Sequence, residues 1–335
     1  MRYDIDFDSG VIYPGQSLVE LARVAEDNGF DAVWKGESNS ADPIVTLSAM
    51  AVGTSKVKLG TGVYHVFGRS PVTFGIQAAT LNDLSGGRAI LGIGISNQTI
   101  AAWHGSTFDR PVRRLREYAD IVRQVAAGER VDYEGGVYQV SGFKLSWKPA
   151  HPEVRIFFAG LGEQMTRLAG RHADGIMVNM ANPSMLRDIV DRVRRAAAEA
   201  GRNPDDLEYV TKVRVSMNPD RAVAAAKFKQ VLAFYNIAEF YRDMIGQMGF
   251  AEESAQIREE YRRAGFRAAI ASVPDALVEG LPTIAASSPE EARERLQPYI
   301  DAGATRLIIP YIPSTEDAVG ETRRFLEEWP AVMAG

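Results

Sequence analysis

One continuous stretch, VKLGTGVYHVFGRSPVTFGIQAATLNDLSGGRAILGIG from Val57 to Gly94, restricts the fold more than any other part of the chain. Val57 to Val63 is rich in β-formers and carries Gly-Thr-Gly near its end. Pro71 suits an early helix position, and Val72 to Leu84 repeats apolar residues at helical spacing. Ser85-Gly86-Gly87 ends that helix, because a glycine there adopts left-handed dihedrals without penalty. Ala89 to Ile95 is a second apolar run, short enough for a buried strand. Two such strands joined by one helix imply a parallel pair with a right-handed crossover. In parallel sheets ligands gather at the carboxyl ends of the strands, here Gly62-Val63-Tyr64-His65 and Gly94-Ile95-Ser96-Asn97.

The same alternation runs through the chain. Strands are predicted at Tyr3 to Phe7, Asp31 to Lys35, Val154 to Ala159, Gly175 to Asn179, Leu207 to Met217 and Thr305 to Tyr311. Helices are predicted at Gln16 to Asn28, Ala41 to Val52, Pro111 to Ala126, Glu163 to Arg171, Ser184 to Ala200 and Glu316 to Glu328. Eight βα units in this order predict one α/β domain over residues 1–335, a TIM (β/α)8 barrel with insertions. Val131 to Trp147 alternates around Gly-Gly and reads as a β-hairpin excursion. The largest insertion, about residues 219–285, lies between the seventh and eighth strands and is helical in pattern over Arg221 to Met248, Ala251 to Ala264 and Pro274 to Gly280. It carries Phe234, Tyr235, Tyr241 and Phe250. These serve as helix core or a dimer face, or as a lid whose rings shape a substrate cavity.

A net charge of −5 gives no electrostatic case for nucleic acid or an anionic membrane as partner. The chain has no cysteine, hence no disulfide framework or thiolate nucleophile. It opens on a strand-like YDIDFD, and no apolar run approaches the roughly 20 residues of a membrane span. A cytoplasmic enzyme is expected. The motifs of metal hydrolysis and acyl transfer do not occur, so no metal is expected either.

LGTGV, a short loop, Arg69-Ser70-Pro71 and then ATLNDLSGGRAILGIG resemble the luciferase-like monooxygenase superfamily, whose members use FMN or coenzyme F420. The opening, DIDF followed by LVELARVAEDNGFDAVWKGESNSADPIVTLSAMAVGTSKVKLGTGV, most resembles the deazaflavin branch that includes methylene-tetrahydromethanopterin reductase. The resemblance covers Met1 to about Gly128, returns at Ile156 to Asn179, and fades between about Asn218 and Pro282.

The resemblance implies a site. Gly160, Leu161, Gly162, Glu163, Gln164 and Met165 follow the fifth strand where the family binds the cofactor phosphate. Glycines there let the backbone approach, and a helix start offers N–H donors. Gly62-Val63 matches the place of a non-proline cis peptide behind the cofactor ring. Asp6, in the first strand, corresponds to an acidic residue of related reductases, although strand alternation puts Asp4 and Asp8 on the same face. Glu37-Ser38 stands where many deazaflavin enzymes carry Asp-His, and Ser38 cannot titrate as histidine would. His65 is the replacement proposed for that histidine, with His104 behind it. Ser96 and Asn97 stand where sugar-phosphate-oxidising relatives have a glutamate, which argues against that activity. Arg69 meets either an anionic cofactor group or a nearby carboxylate. Tyr64, Trp34 and Asn179 complete the expected pocket rim.

Three readings follow. The first is hydride transfer between F420 and a small organic substrate. The second is an FMN-dependent monooxygenase fed by a separate flavin reductase. The third is a catalytically silent barrel. A homodimer or larger homo-oligomer is implied by the resemblance.

Overall fold

The protein is described by a computed structural model over residues 1–8 and 10–333. Its strands are β1 (Arg2–Asp6), β2 (Ala32–Lys35), β3 (Lys58–His65), β4 (Ala89–Gly94), β5 (Val131–Glu134), β6 (Gln139–Phe143), β7 (Arg155–Ala159), β8 (Gly175–Asn179), β9 (Glu208–Lys212), β10 (Arg214–Met217), β11 (Thr283–Ala286) and β12 (Arg306–Pro310). Eight of these described strands close a parallel barrel in the order β1-β2-β3-β4-β7-β8-β9-β12, with β12 returning to β1. β5 and β6 form the expected antiparallel hairpin outside it.

Local signals explain most of the helix boundaries. Ser70 accepts from Thr73 N at 3.1 Å and Pro71 opens the helix Pro71–Leu84. Asp42 does the same for Pro43–Gly53, accepting from Val45 N at 2.9 Å. Inside the barrel, Trp34, Ile90, Phe157, Met177, Val210 and Ile308 fill the interior as one buried cluster. Two strand glycines make room for the largest of these. A Cβ on Gly60 would lie 2.2 Å from the Trp34 ring, and one on Gly92 2.5 Å from Met177 Sδ.

The amino-end floor of the barrel is ionic. Arg306, fully buried, reaches Glu208 Oε2 at 2.6 Å, both Asp4 oxygens at 2.8 Å and Asp31 Oδ2 at 2.7 Å. Burial lifts Asp4 to about 6, although Arg306 and the indole N–H of Trp34 pull the other way.

The region after the sixth barrel strand differs from its prediction. Leu207 to Met217 is not one strand. β9 stays in the barrel while β10 leaves it to pair in parallel with β11, a strand that the helical reading of residues 219–285 missed. Once β9 has filled its place in a closed barrel, the chain beyond Lys212 needs new backbone partners. Within the insertion the helix breaks after Ile237, and again where Gly249 adopts φ 96°. Helices Gln98–Trp103 and Pro289–Asp301 were also not anticipated. Trp34 is an interior residue that donates to Asp4 Oδ2 at 2.7 Å, so it does not belong to the pocket rim.

Candidate active site

The carboxyl ends of β3, β4, β7 and β8 are neighbours in the barrel, so their last residues form one arc of the mouth. Val63, Gly94 and Ala159 lie side by side there. A Cβ on Gly94 would be 3.2 Å from Ala159 Cβ and 3.4 Å from Val63 Cγ2. Val63 and Ala159 rest on the interior cluster. The result is a flat apolar floor of small groups. The Gly62–Val63 peptide is cis, and the β3–β4 register shifts between Thr61 and Tyr64. Glu37 N–H donates to Val63 O at 2.9 Å.

The register shift corrects one expectation. Tyr64 is fully buried and stacks on Phe74, with 4.2 Å between ring centroids. Its side chain therefore faces the surrounding helix Pro71–Leu84, away from the mouth. Aromatic content at a strand end predicted a rim position, but the bulge turns this ring outward.

Beyond β7, Gly162 caps the helix Glu163–His172 with no side-chain partner. The first backbone N–H groups of a helix have no intrahelical acceptor, so Glu163, Gln164 and Met165 offer an anion-binding end. A Cβ on Gly162 would meet nothing within 4 Å, whereas one on Gly160 would lie 2.5 Å from Met165 Cβ. The first glycine keeps the approach open and the second fits the turn against its own helix. The Met165 side chain is buried, and Leu161 O accepts from Arg192 at 3.4 Å, so these two residues contribute backbone and packing.

Asp4, Asp6 and Asp8 share a face, as alternation requires, but their partners separate them. Asp4 belongs to the ionic cluster around Arg306 at the amino end of the barrel. Asp6 accepts from Lys212 Nζ at 2.5 Å and from Asp8 N at 2.8 Å. Asp8 takes Lys35 Nζ at 2.8 Å, with Ser38 and Ser40 hydroxyls at 3.5 and 3.2 Å. Lys212 Nζ also donates to the Gly62 carbonyl. Sequence reasoning missed Lys212, which ends a strand of mixed polar and apolar residues, Glu208–Lys212, and so carried no distinctive signal.

Glu37 gathers the other ionisable groups. It accepts from Arg69 Nη1 at 2.6 Å and from His65 N at 3.2 Å, and Arg69 continues to Asp42 at 2.5 Å. Arg69 thus staples the loop to carboxylates. His65 Nε2 lies 3.1 Å from Glu37 Oε2 but is not oriented as a hydrogen bond, and both ring nitrogens are buried without one. Its ring meets His104 edge-on at 4.4 Å. Burial pushes His65 below its ordinary 6.5, the Glu37 carboxylate opposes this, and His104 adds to the depression.

A group held below its unfolded value disfavours the proton in the folded state, so stability should be lost as pH falls through 6.5. Urea midpoints at about pH 7.5 and 5.5 should show a larger acid loss for the wild type than for His65→Gln. Equal losses would mean that His65 does not couple to folding.

Ser96 is exposed and holds φ 53°, which aims the chain out of β4, and Asn97 caps the next helix by accepting from Ile100 N at 3.0 Å. Asn179 accepts from Arg214 Nη1 at 3.1 Å. Of the four lid residues, Tyr235 and Tyr241 reach the rim. Arg214 Nη2 donates to Tyr235 OH at 2.6 Å, and the two tyrosine rings pack at 4.6 Å. Phe234 is 64% exposed with its ring beside Tyr235, while Phe250 packs against Gly280 inside the insertion, away from the rim. They follow the insertion's own helix packing.

A closed parallel barrel with an apolar floor, a helix start free of side-chain capping and buried ion pairs at its carboxyl mouth defines a (β/α)8 protein with a candidate ligand site at that mouth. The chain belongs to the luciferase-like monooxygenase family, whose pattern it matches over residues 7–306. It is 28% identical over 312 residues to the 5,10-methylenetetrahydromethanopterin reductase of Archaeoglobus fulgidus, covering 92% of each chain. It is 27% identical over 331 residues to the F420-dependent glucose-6-phosphate dehydrogenase of Mycolicibacterium gilvum, covering 93% of this chain and 91% of that one. Among solved structures, the coenzyme F420-dependent tetrahydromethanopterin reductase of Methanopyrus kandleri superposes with a TM-score of 0.85 at 25% identity, covering 98% and 97% of the two chains.

Proposed function

We propose that this protein is an F420-dependent oxidoreductase acting on a small organic substrate. The Val63–Gly94–Ala159 floor beside a helix start without a side-chain cap fits a flavin or a deazaflavin alike, and the named activities of the similar proteins favour the deazaflavin. A planar apolar ring with an anionic side arm needs that pairing of surfaces.

When bound, the deazaflavin supplies hydride transfer at its C5. The chain does the rest. Val63, Gly94 and Ala159 support the ring, and backbone N–H groups of Glu163, Gln164 and Met165 hold the phosphate. Lys212 fixes the Gly62 carbonyl and neutralises Asp6. Two groups can exchange the compensating proton: Asp6 Oδ2, against Lys212 Nζ, and His65 Nε2, against Glu37 Oε2. Tyr235 and Tyr241 border the space above the floor.

Titration of the purified protein with F420 and, in parallel, FMN, followed by tryptophan fluorescence, tests this. Tight F420 binding with weak FMN binding is expected. The reverse preference would replace the reading with oxygen-dependent flavin chemistry, and binding of neither would leave a silent barrel.

A further inference from the structure

Arg214 is 7% exposed. Among the described residues no carboxylate forms an ion pair with it. Among the described residues, the other cations enclosed in the barrel are matched: Arg306 by three carboxylates, Lys35 by Asp8 and the half-buried Lys212 by Asp6. Arg214 has only neutral partners. Nη1 donates to Asn179 Oδ1 at 3.1 Å and lies 3.6 Å from Met180 Sδ, while Nη2 donates to Tyr235 OH at 2.6 Å. The guanidinium also lies 5.1 Å from the centre of the Tyr235 ring.

A buried cation without a counter-charge carries a desolvation cost that neutral acceptors offset only in part. If its one task were to latch the insertion to the barrel, an uncharged donor would do so without that cost. The donor count points the same way. A guanidinium has five N–H groups, and the contacts above engage three. Tyr235 OH accepts from Arg214 and, at 3.4 Å, from Asn179 Nδ2, so its own proton is not used in either contact. The cluster therefore has donors in excess and one uncompensated positive charge.

Its position is at the carboxyl mouth of the barrel. Arg214 follows Lys212 by two residues, and Lys212 touches Gly62 at the edge of the apolar floor. Asn179 ends β8, next to the strand that leads into Gly160. Tyr235 comes from the insertion that borders the space above the floor.

We propose that Arg214, Tyr235 and Asn179 form an oxyanion subsite that recognises a carboxylate or phosphoryl group carried by the substrate. The assignment to substrate rests on the oxidoreductase reading; the anion recognition rests on the charge and donors alone. The same chemistry could arrive with the cofactor's anionic arm, and the test separates the two sources.

Phenyl phosphate and benzoate are the probes, titrated calorimetrically into the full-length chain with and without F420. The wild type should bind at least one probe saturably. Arg214→Met should weaken that binding by about 10- to 100-fold, as expected for a lost charge-assisted contact. Arg214→Lys should retain part of it, and Tyr235→Phe should lose several-fold with the charge intact. F420 affinity, read separately by fluorescence, should stay within about twofold in all three variants.

Absence of saturable probe binding to the wild type would overturn the proposal. So would probe binding that is the same in Arg214→Met, or a tenfold loss of F420 affinity with no change in probe binding, which would give the arginine to the cofactor. Should Arg214→Met fail to fold, Arg214→Lys and Tyr235→Phe decide, and unchanged probe affinity in both overturns it. Probe binding that depends on Arg214 in a protein that binds no F420 would keep the anion subsite and remove the proposed function.

Discussion

Arg306→Met should destabilise the protein by about 3–5 kcal/mol at neutral pH, as breaking a buried charge cluster does. The arginine is fully buried and is the common partner of Asp4, Asp31 and Glu208. Glu208 would keep Arg155 and Arg2, and Asp31 would keep Lys58. Asp4 would keep only the indole N–H of Trp34. The deficit should therefore be pH-dependent in one direction. Asp4 already sits at about 6 because burial disfavours its charge. A carboxyl raised above its unfolded value of 3.8 favours the folded state while protonated, and that contribution is lost as pH rises through about 6. Without Arg306 the carboxyl should rise further, so the variant should recover part of its deficit between about pH 7 and pH 5. Urea denaturation at the two pH values reads this out. A deficit of the same size at both would show that Asp4 does not carry the loss.

Lys212→Met is the second large effect, and it reaches the candidate site. Asp6 has no exposed side-chain surface, and among the described residues Lys212 is its one cationic partner. Removing the ammonium leaves a buried carboxylate held by the Asp8 N–H alone, at a cost of about 3–5 kcal/mol. The double variant Asp6→Asn with Lys212→Met should regain most of that loss, because it removes both charges. Strictly additive losses would mean that the pair is not coupled. The Gly62 carbonyl also loses its donor in Lys212→Met. F420 affinity should then fall by about tenfold, corresponding to one charge-assisted hydrogen bond. In the double variant the stability should return while the affinity does not, which separates the lysine's two contacts.

The fold and the location of the candidate site were legible because their signals are local. Helix and strand periodicity, Pro71 and Asp42-Pro43 at helix starts, and Gly86-Gly87 at a helix end act within a few residues. They determined the barrel, its strand order and the mouth to which Gly62, Gly94, Gly160 and Asn179 belong. Gly160 and Gly162 could be read as a ligand loop because a strand, two glycines and a helix start follow one another directly. Glu37 and His65 were visible as strand-end residues.

The remainder depended on which distant segments meet. Lys212 finds Asp6 across 206 residues and Arg306 finds Asp4 across 302, and no spacing in a sequence encodes such a pair. Asp4, Asp6 and Asp8 look equivalent by alternation, and only their different cations distinguish them. Tyr64 turned outward because the β3 register shifts beneath it, and Trp34 turned inward because Gly60 leaves space for its ring. The departure of β10 from the barrel followed from closure, since a ring of eight strands has no free edge to offer. By itself the sequence determined the class of fold and the location of its mouth, through short-range backbone preferences. Tertiary structure alone decided which charges are paired, because electrostatic partnership is set by proximity in space, and among the described residues it gave Arg214 no carboxylate partner.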